Sequence, residues 1–169
     1  VLSRLDPSAF QTCFLAWTQT IHIQTKGEVI ALDGKTLRHS FDTATGKKAI
    51  HMVSAWASHN ALVLGQVKVD EKSNEITALP ALLALLDISG CIVTIDAMGC
   101  QKAIARQIVE QGGEYVLALK GNQQRIHEDV NHFFEHALEK GWEDRPHDIS
   151  TEYDKDHGRF ETRRCILVD

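Results

Sequence analysis

Two short runs in this chain end in the same way. Val29-Ile30-Ala31-Leu32 leads into Asp33-Gly34, and Cys91-Ile92-Val93-Thr94-Ile95 leads into Asp96-Ala97-Met98-Gly99. A β-rich run without polar alternation is the pattern of a strand covered on both faces, as in parallel sheets flanked by helices. Two such strands commit the chain to a sheet interior, and the remaining segments must supply its cover. An aspartate closing each run falls at the rim of that sheet. There a lone buried carboxylate costs several kcal/mol unless it is paired or metal-bound.

The flanking segments fit this plan. Asp6-Pro7 ahead of SAFQTCFLAWTQTI marks a capped helix start with Pro7 at the first helical position, and Gly27 breaks the pattern. AIHMVSAWAS (49–58) and ALVLGQVKV (61–69), joined by His59-Asn60, predict a hairpin, preceded by a polar loop over 41–48. ITALPALLALL (76–86) predicts a helix with Pro80 near its first turn and Ser89-Gly90 at its end. A helix over Gln101–Gln111 closes on Gly112-Gly113, and YVLALKGN forms a third apolar run. Residues 123–140 predict a polar helix with an apolar stripe of Ile126, Val130, Phe133, Phe134, Ala137 and Leu138. After Gly141 the chain reads as a charged, irregular segment ending in the strand-like CILV. The order predicts an α/β fold, a ribonuclease-H-like mixed five-stranded sheet with helices on both faces. In that layout the first strand is central and adjoins the strand ending at Ile95, which brings Asp33 and Asp96 side by side.

Composition narrows the class. A chain of 169 residues, 43% hydrophobic and 24% charged, holds one domain with a real core and excludes disorder. No apolar run reaches the length of about 18 residues that a membrane helix needs, and VLSRLDPSAF lacks the order of a signal peptide. A cytoplasmic protein with no membrane partner is expected. Cys13, Cys91, Cys100 and Cys165 form no CxxC pair, which excludes a zinc knuckle or disulfide framework. The net charge of −5 weighs against a dedicated nucleic-acid-binding module, so DNA-binding parts are expected outside this stretch.

The paired aspartates carry the chemistry. Taken singly, a strand-end aspartate can simply cap the following turn. Two held together repel, and a cation is the natural way to keep both ionised. Hard oxygen ligands without thiolate suit Mg2+ or Mn2+. Two such ions, roughly 3.5–4 Å apart, serve phosphodiester transfer by activating a water or 3′-hydroxyl and stabilising the leaving oxygen. Lys35 and Arg38 follow the first aspartate, and Lys120 and Asn122 follow the third run; together they suit a DNA backbone. His132 and His136, one helical turn apart with Glu128 nearby, read as the solvated face of a surface helix rather than a metal site. Glu75 reads as a helix start, and His22 carries no reading.

At this point a resemblance becomes specific. IALDGKTLRHS, HMVSAWA, VKVDEKSNEITALPALL, TIDAMGCQ, YVLALKGNQ and HGRFETRR resemble consecutive motifs of bacterial insertion-sequence transposases of the H-repeat-associated group, a DDE type, across about residues 28–168. VLSRLDPSAFQTCFLAW resembles the stretch leading into that family's catalytic domain. The resemblance implies a ribonuclease-H-like fold and divalent-metal catalysis. It also implies cleavage and strand transfer, with transposon ends and target DNA as partners. Asp33 and Asp96 match the first two catalytic acids. His157 and Arg159 are expected to touch DNA phosphate in the full enzyme. The family's third acid belongs to a helical His-Trp-x-x-Glu-Asn motif that does not occur in this sequence. Trp142-Glu143-Asp144 stands in the wrong context, and Glu161, just ahead of an apparent strand, is the substitute candidate.

The expected organisation is therefore a leading helix of an incomplete N-terminal region over 1–27. A partial catalytic domain follows over 28–169, truncated before the third-acid helix and binding its two metals weakly. Homo-oligomerisation is left open. Two other readings stand beside this one. A catalytically dead transposase remnant would act only as a folded binding domain. A haloacid-dehalogenase-like phosphohydrolase would use the DGKTL segment, but that chemistry wants a second acid where Lys35 stands.

Overall fold

The structure is a computed structural model that describes residues 4–21, 27–38, 40, 49–69, 75–142, 145–156 and 158–168. The loop expected over 41–48, together with His22 and His157, lies outside the described residues. The chain divides into two units, Val1–Gln123 and Gln124–Asp169.

The first unit opens with α1 (Pro7–Ile21), started where Asp6 Oδ1 accepts from the Ser8 and Ala9 amides at 2.8 and 3.2 Å. Five strands follow: β1 (Val29–Thr36), β2 (His51–Ala57), β3 (Leu62–Lys68), β4 (Ile92–Ile95) and β5 (Glu114–Leu117). They form one mixed sheet in the order β3-β2-β1-β4-β5. The β1–β2 and β2–β3 pairs are antiparallel, and the β1–β4 and β4–β5 pairs are parallel. The expected hairpin and the central place of the first strand are both observed.

Alternation sorts the side chains. Ile30, Leu32, Val53, Ala55, Val93 and Ile95 share one face and are buried. The helices α2 (Glu75–Leu83) and α3 (Lys102–Glu110) cover this face with Leu79, Leu82, Leu83, Ile104 and Ile108. A Cβ on Gly65 of β3 would meet Leu15 of α1 and Leu82 and Leu86 beside α2, so α1 packs on this face too. Thr18 of α1 donates to the Leu64 carbonyl at 3.3 Å. Helical cover among the described residues of this unit is thus on one face. On the other, Trp56 and Val116 are 42% and 61% exposed.

The helix expected over 76–86 stops at Leu83. The Leu85 and Leu86 amides bond three residues back, to the Leu82 and Leu83 carbonyls, which tightens the last turn. Gln107 and Gln111 of α3 donate to the Pro80 and Leu83 carbonyls at 3.0 and 3.3 Å. Side chains from the neighbouring helix thus serve carbonyls at the end of α2.

The second unit pairs α4 (Gln124–Glu139) with a hairpin of β6 (His147–Asp156) and β7 (Arg159–Val168). Phe134 meets Trp142 edge-on at 5.9 Å, Trp142 stacks on His147 at 5.1 Å, and the Arg145 guanidinium lies 4.8 Å over Phe133. Of the expected apolar stripe on α4, only Ala137 is buried, while Ile126, Val130 and Leu138 remain exposed. The stretch read as irregular after Gly141 is instead extended. Ten cross-strand pairs run from His147↔Val168 to Asp156↔Arg159, around a turn in which Gly158 takes a φ of +79°. Its backbone ladder is satisfied without a buried face, so no hydrophobic alternation advertised it.

No disulfide joins Cys13, Cys91, Cys100 or Cys165. Among the described residues no helix is long and apolar enough to cross a membrane.

Ile108 is fully buried against the sheet, whereas Leu167 is 68% exposed in the hairpin. Ile108→Ala should cost about 2–5 kcal/mol in urea unfolding, and Leu167→Ala should stay within about 0.5 kcal/mol.

Candidate functional site

The parallel ladder between β1 and β4 ends at Leu32↔Ile95. The next residue on each strand is an aspartate. Asp33 and Asp96 therefore stand abreast on strands whose backbones run about 4.8 Å apart. Leu32 and Ile95 face the helices, so alternation turns Asp33, and Asp96 with its extended backbone, toward the opposite, less covered face. Both residues are exposed, so neither carboxylate carries the desolvation cost that full burial would impose.

Their local settings differ. Asp33 does not end its strand, as the sequence had suggested, because Gly34, Lys35 and Thr36 stay paired with Val53, Met52 and His51 of β2. Only the pairing with β4 stops there. Across β2, Asp33 is opposite Ser54, whose hydroxyl lies 3.5 Å from the Asp33 carbonyl, at the limit of a hydrogen bond. Thr36 Oγ1 and His51 Nδ1 are 2.7 Å apart at the strand's end.

Asp96 does end its strand, and it caps a single 3₁₀ turn, Ala97–Gly99. Asp96 Oδ1 accepts from the Met98 and Gly99 amides at 3.1 and 3.4 Å. The capping role that any strand-end aspartate could play is thus real here, and it occupies one oxygen of the two. Gly99 is needed at this spot, since a Cβ there would overlap Ile95 Cγ2.

Of the cationic and polar candidates, Lys35 lies two residues beyond Asp33 and so on the same face of β1, while Arg38 sits in the turn that follows. Both are exposed, as is Lys120 past the end of β5. All three lie toward the rim at which the parallel strands end. Asn122 is in the same region, but its Nδ2 donates to the Ala97 carbonyl at 2.7 Å. Beside it Gln123 Nε2 donates to the Cys100 carbonyl at 2.9 Å. Gln123 was not singled out from the sequence; the only signal was an amide pair directly after the third apolar run.

Glu161 and Arg159 belong to the second unit. Glu161 lies within β7 rather than ahead of it, and its Oε2 pairs with Arg163 Nη2 at 2.8 Å. His132 and His136 are exposed on α4, as their reading as a solvated face requires, and Glu128 accepts from Gln124 at 2.8 Å. Among the described residues no three His, Cys, Asp or Glu side chains group closely enough to hold a metal.

Residues 24–168 match the family described as "Transposase DDE domain". The chain is 48% identical over 170 residues to "Putative protein YbfL" of Escherichia coli (strain K12), covering all of this chain and 44% of that protein. It is equally similar, with the same coverage, to "H repeat-associated putative transposase YhhI" of the same organism. The chain thus spans under half the length of these curated relatives. Among solved structures, a piggyBac transposase synaptic complex with hairpin DNA matches with a TM-score of 0.44 and 13% identity, over 85% of this chain and 33% of that one.

The tight contact at Gly99 and the open space around Gly121 set up a direct comparison. Gly99→Ala should destabilise the chain by about 1–3 kcal/mol through overpacking. Gly121→Ala should lie within about 0.5 kcal/mol of wild type; thermal unfolding of both checks this.

Proposed function

The chain belongs to the family of transposases that share the DDE domain, and from that premise we propose that Asp33 and Asp96 are two of its metal-binding carboxylates. The whole protein would use them to cleave DNA at transposon ends and join it to target DNA. The observation that supports this reading is the end of the β1–β4 ladder at Leu32↔Ile95, past which each of the two adjacent parallel strands runs directly into an aspartate.

The donor set fits Mg2+ or Mn2+. It consists of hard carboxylate oxygens with no thiolate beside them, and Asp96 keeps Oδ2 outside its turn hydrogen bonds. A divalent ion bound there supplies the charge that favours a nucleophilic oxygen and steadies the leaving one. The chain's own residues do the rest. Asp33 and Asp96 hold like charges together at an accessible rim. Lys35, Arg38 and Lys120 draw the phosphate backbone toward that rim, and in the full protein Arg159 and His157 touch DNA phosphate as well.

Two carboxylates make an incomplete set. We read residues 28–169 as part of a catalytic domain whose third acid lies elsewhere in the longer protein. The missing His-Trp-x-x-Glu-Asn motif supports this, as does the want of a third neighbouring ligand among the described residues. Glu161 is the weaker substitute: as a third acid it would have to give up its pairing with Arg163. The same two-ligand set is what a folded but inactive remnant would keep, and turnover separates these readings.

By calorimetric titration the chain should bind Mn2+ weakly, and Asp33→Asn and Asp96→Asn should each lower the affinity by about tenfold or more. Equal affinities would count against the reading. In the full-length protein, Mg2+- or Mn2+-dependent cleavage of terminal-repeat DNA should vanish on Asp33→Ala. Metal binding without any cleavage would support the remnant, and phosphate release from a small ester would support a phosphohydrolase.

A further inference from the structure

The backbone ladder between β4 and β5 stops at Ile95↔Leu117, with the Ala118 amide still donating to the Ile95 carbonyl at 3.1 Å. Beyond that rung both chains leave the sheet, and two side-chain amides continue the connection. Asn122 Nδ2 reaches the Ala97 carbonyl and Gln123 Nε2 reaches the Cys100 carbonyl, at 2.7 and 2.9 Å. They grip the two ends of the turn whose inner amides hold Asp96 Oδ1. Their own loop is closed by the Gln123 amide bonding to the Lys120 carbonyl at 3.0 Å.

The residue types suit the task. Ala97 and Cys100 present carbonyls, which need donors, so aspartate or glutamate at 122 and 123 could not serve. Lysine or arginine could donate, but a fixed positive charge beside Asp96 would compete with a bound cation. A neutral amide supplies the hydrogen bond and leaves the carboxylate's charge for the metal. Within the turn Ala97 and Gly99 are buried and Met98 is open to solvent; packing seats its inner side, and the two amides hold the outward carbonyls at its ends.

We infer that Asn122 and Gln123 are positioning residues. By clamping the 97–100 turn to the loop after β5, they fix the direction in which the Asp96 carboxylate faces Asp33. This replaces the phosphate contact expected for Asn122, and it rests on the reading that Asp96 binds metal. The clamp acts on the ligand through the backbone, as outer-shell groups do around metal sites.

The test uses the 169-residue chain and Mn2+ alone, titrated by water-proton relaxation. The proteins are wild type, Asn122→Ala, Gln123→Ala, Asn122→Gln and, as reference, Asp96→Asn. Each alanine variant should bind Mn2+ about tenfold more weakly, with its melting temperature little changed because Asn122 is exposed and Gln123 half-buried. Asn122→Gln keeps a donor and should recover most of the affinity. Hydrogen exchange of the Met98 and Gly99 amides should quicken in the alanine variants. If both alanine variants keep wild-type affinity while Asp96→Asn loses it, the clamp is refuted and the metal reading survives. If Asp96→Asn changes nothing, the metal reading itself falls. Should an alanine variant melt early, exchange at low temperature decides, and unchanged Met98 and Gly99 rates would refute the clamp.

Discussion

Four rungs of parallel pairing, from Val29↔Ile92 to Leu32↔Ile95, bind the two halves of the sheet together. Their register is set by burial. Ile30, Leu32, Val93 and Ile95 all point at the helices, and a slip of one residue would carry a whole strand's apolar set to the exposed face. Each of these side chains is worth about 1.5–3 kcal/mol in burial, so the sheet holds its register firmly. The same register leaves Asp33 and Asp96 each one residue past its last rung. Stability and site geometry are thus fixed by one interaction: the core that holds the strands together also sets the spacing of the two acids.

The capping and metal-binding readings of Asp96 are not rivals. A carboxylate has two oxygens, and the turn amides of Met98 and Gly99 take only Oδ1. A ligand whose one oxygen is tied to rigid backbone has less freedom to lose when the other binds a cation. The net charge of −5 is likewise compatible with a DNA-facing rim. Charge is felt locally over about a Debye length of 10 Å. Lys35, Arg38 and Lys120 all lie near the ends of the parallel strands, in a stretch (1–123) with eleven acidic and eleven basic residues, while the acidic surplus falls in residues 124–169, twelve acidic against seven basic.

The second unit shows where sequence patterns fall silent. Strands β6 and β7 are rich in charge, and most of their side chains are exposed. Hydrophobic alternation arises only when one face is buried, so a ribbon with little burial on either side leaves no such trace. What forms it is backbone pairing around Gly158, and its surface offers Tyr153 and Phe160 to solvent, 74% and 75% exposed.

Local chemistry was legible in the sequence. The apolar runs ending at Leu32 and Ile95, the Asp6 cap with Pro7 behind it, and the glycines closing α3 each depend on near neighbours, and each was read correctly. So was the order of the elements as far as α4, from which a central first strand follows. What the sequence could not give was anything decided by contact between distant segments. The continuation of β1 past Asp33 depends on β2, and the early end of α2 goes with i→i+3 bonds and with glutamines from α3. The turning of the Asn122 amide toward the Ala97 carbonyl depends on where β5 ends beside β4. A side chain's propensity travels with the residue, but its hydrogen-bond partner exists only once two remote strands have been laid in register.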